Sequence, residues 1–169
     1  MRSLSLYVAA GMLVAGGSAA VAQSPAAVVD RMPFATPYGP SITLSRAREL
    51  ARAAEAEARK HDWKEAIAVV DPAGDLIFLE KMDGTMAAAA MIARNKARTA
   101  ARFRRSTTLF FHAFETGHPY VATLDHTLVA SPGGLPLIEN GKIIGAVGCS
   151  GGTGGQDEAV CKAAADKVR

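Results

Sequence analysis

The residues most suggestive of chemistry lie near the C-terminus, in GAVGCSGGTGGQDE, Gly145 to Glu158. Six glycines in eleven residues followed by an acid resemble a phosphate cradle. A Walker A loop needs Lys and Ser or Thr after its last glycine, to reach the phosphates and to hold magnesium. Here Gln156 and Asp157 follow Gly155. A dinucleotide fingerprint needs a further strand ending in an acid about 20 residues on, and only 14 residues remain after Gly155. Both nucleotide readings fail, which leaves a tight strand-to-helix corner.

Other candidates are more dispersed. Arg94, Arg98, Arg102 and Arg105 recur at spacings of four, four and three, which places them on one helical stripe. The stripe is either a solvated face or a binding surface for carboxylates. His61, His112, His118 and His126 include no helical zinc pair and no HExxH, and the CxxCH of covalent haem attachment is absent. His118 and His126 flank a loop from which either could ligate a metal or haem iron. Cys149 and Cys161 could bond if the last helix folds over its strand, or remain two buried thiols; the sequence leaves both open. Ser150 lies in CSGG rather than a GxSxG elbow, so a serine-hydrolase reading has no support.

The elements that must position these residues are legible in part. Residues 1–22 read as a cleavable secretory signal, with Arg2, an apolar run and Ala20-Val21-Ala22 before the cut. That implies a periplasmic or extracellular, oxidising location and no membrane span after cleavage. Without Arg2 the chain carries 18 basic against 16 acidic side chains, a balance that does not suggest a nucleic-acid partner. Residues 23–41 hold four prolines and read as an extended arm. Residues 42–169 are long enough for one domain.

Within that domain Thr43 is a plausible N-cap for a helix over 44–60, with Leu44, Ala47, Ala51, Ala54 and Ala58 on its apolar face. Ala66–Val70 and Leu76–Leu79 read as strands about a Pro72–Gly74 turn, apolar enough to be buried on both faces. Ala-rich residues 85–103 and residues 106–115 read as helices, the second ended by Gly117. A short strand is expected at Thr127–Ala130. The apolar runs around Asn140-Gly141 form a hairpin with a type I′ turn. A closing helix follows, with Asp157 and Glu158 in its first turn. The result is an α+β domain with a five-stranded antiparallel sheet flanked by helices.

AVVDPAGDLIFLEKMDG, ARNKARTAARF and GGLPLIENGKIIGAVGCSGGTGGQDE, taken in this order, resemble the GlcG/HbpS family, a haem-degrading domain family related to the PduO C-terminal domain. The resemblance covers about residues 42–168 and implies a profilin-like fold, a homo-oligomer, and haem or a related tetrapyrrole as ligand in some members. Positions matching the pattern include Asp83, Lys96, Gly133, Gly134, Gly151, Gly152 and Asp157. Lys96, Asp83 and Asp157 are the polar positions expected to face a shared cleft.

The leading expectation is an exported, oligomeric binding protein for haem or a similar carboxylated small molecule. Leu109-Phe110-Phe111 and the Ala-rich helix would contact the ring. Lys96, Arg98 or Arg102 would meet the carboxylates, and His118 or His126 would ligate iron. One alternative is an enzyme acting on a small organic acid, with Lys96 and Asp157 as acid and base. Another is a periplasmic accessory protein of a sensor or oxidoreductase, contacting its partner through the proline-rich arm.

Overall fold

The computed structural model describes residues 32 and 34–168; the signal reading over 1–22 and the first part of the arm lie outside them. In chain order the elements are α1 (Leu44–Lys60), β1 (Ala66–Val70), β2 (Leu76–Lys81), α2 (Ala89–Phe103), α3 (Thr108–Glu115), a 3-10 helix (Pro119–Thr123), β3 (Gly134–Glu139), β4 (Lys142–Ser150) and α4 (Gly154–Ala165).

The strands form an antiparallel sheet in the order β2-β1-β4-β3. Every residue of β1 is buried, because helices cover both faces of its sheet. Ile67 and Val69 point into a core built with α1 and α4, together with Leu50, Val147 and Val160. Ala66, Ala68 and Val70 point the other way, against α2.

The second face is packed almost wholly with small residues. Ala89, Ala93, Ala97, Ala100 and Ala101 of α2 meet Ala66, Ala68 and Ala146 of the sheet. A Cβ added to Gly148 would stand 2.1 Å from the Ala93 carbonyl oxygen. The α2 backbone therefore lies directly on β4, an approach that only glycine and alanine permit. This is the physical reason for the alanine run.

Local signals account for most ends. The Thr43 hydroxyl accepts a hydrogen bond from the Arg46 amide and caps α1. In α1 the buried face is Ala47, Leu50, Ala51, Ala54 and Ala58, whereas Leu44, expected on it, is exposed. Asn140 and Gly141 both take positive φ, 49° and 72°, as the type I′ hairpin turn requires. Residues 85–88 form a turn rather than the start of α2. The Thr85 hydroxyl donates to the Met82 and Glu65 carbonyls and holds that turn against the sheet.

The sheet has four strands, not five. The segment 127–130 is irregular, because its polar groups are bound elsewhere. The Asp125 carboxylate accepts from the Thr127 amide and hydroxyl, and the Val129 amide donates to the Thr99 hydroxyl of α2. With its hydrogen bonds given to side chains, the segment cannot ladder along an edge.

The described end of the proline-rich arm fills part of that role. Ile143 donates its amide to the Pro37 carbonyl and accepts from the Gly39 amide, each at 2.8 Å, and the Ile42 amide donates to Ile144. The arm continues the line of β1 beside the start of β4, where β1 itself has ended. Arg105 stacks 3.6 Å from the centre of the Phe34 ring, and Tyr38 donates its hydroxyl to the Ala101 and Arg102 carbonyls. This stretch is docked on its own domain.

Gly148→Ala is expected to cost about 3 kcal/mol or more, because the new Cβ would collide with the α2 backbone at Ala93 and Ala97. Gly155→Ala, whose new Cβ would meet nothing within 4 Å, is expected to be neutral or to stabilise by up to about 1 kcal/mol. Urea denaturation of both variants checks the pair.

Candidate functional site

The Ala-rich contact that presses α2 onto the sheet also carries Lys96 inward. Lys96 is 1% exposed and Asp157 3% exposed. The lysine Nζ lies 2.6 Å from Asp157 Oδ2 and donates to the Cys149 carbonyl at 3.1 Å. The other carboxylate oxygen of Asp157 accepts the amides of Gly151 and Gly152 at 3.2 and 2.9 Å. The amides that might have cradled an external anion thus hold the protein's own carboxylate.

The surrounding glycines make room for this arrangement. Gly133 has φ 109°, and a Cβ there would stand 2.7 Å from Asp157 Cβ and 3.2 Å from Lys96 Nζ. At Gly134 it would meet the Lys96 carbonyl at 2.5 Å. Cys149 and Cys161 are joined in a disulfide that ties β4 to α4 beside the pair. Thr153 and Gln156 form a reciprocal capping box at the start of α4, which fixes where Asp157 enters. The T-x-x-Q spacing of this box stands in the sequence at Thr153 and Gln156.

Glu65, just before β1, completes the cluster and had no comparable sequence signal. It is fully buried, and among the described residues neither carboxylate oxygen reaches a hydrogen-bond partner. Burial pushes its pKa up to about 8, and the nearby Asp157 carboxylate adds to the rise. The Lys96 charge acts in the opposite direction without reversing it. Near neutral pH Glu65 therefore holds its proton beside the Lys96–Asp157 pair.

Of the expected site residues, the structure brings together Lys96, Asp157, Gly133, Gly134, Gly151 and Gly152. It does so in a closed corner rather than on the floor of an open cleft. A substrate would have to force the corner apart to reach either charged group, so the expected acid and base are paired with each other.

The remaining candidates lie elsewhere. Asp83 is exposed and lines a separate cleft with Glu55, Arg59 and Glu80. Arg98 and Arg102 pack their stems beneath Gly74 of the β1–β2 turn. Arg102 also pairs with Asp125, in the same turn as His126. His118 precedes the 3-10 helix and meets Tyr120 edge to face at 6.1 Å. The His126 side chain is 92% exposed, 3.9 Å from Asp125. Among the described residues no group of three or more His, Cys, Asp or Glu could hold a metal ion.

The segment carrying these histidines has an unusual surface. Phe110 is buried, but Leu109, Phe114, Tyr120 and Leu124 are exposed, and His112 and His118 stand among them in sequence. Exposed apolar side chains of this kind can contact a flat apolar group, and an exposed imidazole can donate a lone pair to iron.

The family description for haem-degrading HbpS-like proteins matches residues 42–166. GlcG of Escherichia coli is 43% identical over 109 residues, 64% of this chain and 81% of its own length. An uncharacterised 15.0 kDa protein of Citrobacter freundii, from the dhaT-dhaS intergenic region, is 37% identical over 129 residues, 75% of this chain and 91% of its own. The crystal structure of a double mutant of HbpS from Streptomyces reticuli matches with TM-score 0.72 at 26% identity, over 86% of this chain and 99% of that one.

The Glu65 environment predicts a specific pH dependence. Below about pH 4.5 folded and unfolded states are both protonated at this group. Between there and about pH 8 only the unfolded state ionises, so stability falls as pH rises, by at most about 1.4 kcal/mol per pH unit from this residue, and then levels off. Glu65→Gln should remove that slope, so that the variant gains on the wild type between pH 5 and pH 8. Urea midpoints at four pH values check it; parallel wild-type and variant curves would contradict it.

Proposed function

The chain belongs to the HbpS-like family, and from that premise we propose that it is an exported, oligomeric protein that binds haem or a related carboxylated tetrapyrrole. The observation that carries the reading is the exposed apolar segment 109–124, with solvent-facing histidines beside it. The family description supports the haem assignment, since it names haem degradation.

The residues present fit the group. Tyr120, Phe114, Leu109 and Leu124 offer apolar area to a ring face. His118, held against Tyr120, is the first candidate for iron, and His126 the second. Arg102 lies within reach of the same segment through Asp125 and can meet a carboxylate. Bound haem would supply a redox-active iron centre. The protein's part is to hold the ring, orient it and supply the imidazole. An open surface of this kind covers one ring face, so a second subunit is the natural cover for the other, which supports the oligomeric part of the reading.

Haemin added to the purified protein should give a saturable Soret shift at about one haem per subunit or per dimer, in the micromolar range or tighter. His118→Ala should weaken it at least tenfold, and the variant also carrying His126→Ala should lose it. Lys96→Met, measured where it remains folded, should leave the spectrum unchanged. A well-folded oligomer with no saturable shift would contradict the reading.

A further inference from the structure

A cleft of about 460 Å³ opens between the docked arm, the β1–β2 turn and α2, lined by Tyr38, Pro72, Ala73 and Arg102. Of these four residues the haem reading uses only Arg102. We propose that this cleft is a binding site for a small carboxylic acid with an apolar body, of the size of one ring or a short alkyl chain.

Four observations carry the assignment. The volume lies within the range of small-molecule sites. The walls contributed by the Tyr38 ring, Pro72 and Ala73 are largely apolar, so they favour a hydrophobic body over a bare inorganic anion. Cationic groups stand at its side. Arg102 gives one guanidinium nitrogen to Asp125 and has no other hydrogen-bond partner among the described residues. The guanidinium nitrogens that Asp125 leaves unused can pair with a ligand carboxylate.

The fourth observation is preorganisation. A Cβ on Gly74 would stand 2.9 Å from Arg98 Cγ and 3.2 Å from Arg102 Cδ, so the turn backbone clamps both stems. Tyr38 is fixed by its two hydrogen bonds to the end of α2, and the Arg104 guanidinium stands over its ring at 5.6 Å. Within the turn, Asp71 Oδ1 accepts the Asp75 amide, which fixes the backbone beside the cleft. Little ordering remains to be done on binding.

The test is NMR and calorimetric titration of the full purified chain with hexanoate and benzoate, with inorganic phosphate and 1-hexanol as separate arms. Hexanoate or benzoate should saturate, shifting the Tyr38 and Ala73 amides, while phosphate and hexanol bind at least tenfold more weakly. Ala73→Trp fills the cleft from an exposed position and should abolish binding with folding intact by circular dichroism. Arg98→Met with Arg102→Met should weaken it at least tenfold. His118→Ala with His126→Ala should leave it unchanged, which separates this site from the proposed haem surface. Failure of both acids to saturate, equal binding of phosphate, or undiminished binding in Ala73→Trp would overturn the proposal.

Discussion

The close approach of α2 to β1 and β4 is the constraint on which the rest of the molecule depends. It requires alanine along one helix face and glycine at position 148. Once the backbones are in contact, Lys96 has nowhere to go but inward, and a buried ammonium demands a partner. Asp157 is that partner, and its second oxygen then organises the Gly151–Gly152 corner. The disulfide and the capping box fix α4 so that the carboxylate arrives where it is needed.

This chain of consequences gives the Gly-rich corner a meaning different from that of a phosphate loop. Its glycines keep backbone close to backbone, and its amides are occupied from within. Breaking one member of the ion pair would leave the other buried and uncompensated, a loss on the order of 3–5 kcal/mol. The glycine corner is part of the scaffold, while the surfaces proposed for ligands lie on the histidine segment and beneath the docked arm.

How far the sequence revealed this differs by element. The Asn140-Gly141 hairpin and α1 were readable because their signals are local: two residues tolerant of positive φ, and a cap followed by a 3.6-residue period. The unbroken apolar runs point to two-sided burial for both strands of the first pair; β1 has it, whereas β2, at the sheet edge, leaves Leu76 and Leu79 exposed. Residues 127–130 carry a strand-like pattern but form no strand, because the groups that capture their backbone, Thr99 and Asp125, act through tertiary and turn contacts that alternation does not report. Lys96 and Asp157 are expected at a shared cleft and instead form a buried pair, because their burial depends on helix–sheet distance, which spacing alone does not give. Glu65 was invisible for the same reason: an acid before a strand is ordinarily solvated. The docking of the arm through Pro37, Gly39 and Tyr38 likewise left no periodic trace.

The proposed ligand surface is separate from the structural corner, and the most direct test locates the ligand. Haemin iron broadens the NMR signals of nearby amides. With amides assigned on the unloaded protein, the account predicts broadening centred on residues 109–126, with Gly133, Gly134, Gly151 and Gly152 sharp and the Lys96–Asp157 pair intact. Broadening centred on the glycine corner, with residues 109–126 unaffected, would contradict it.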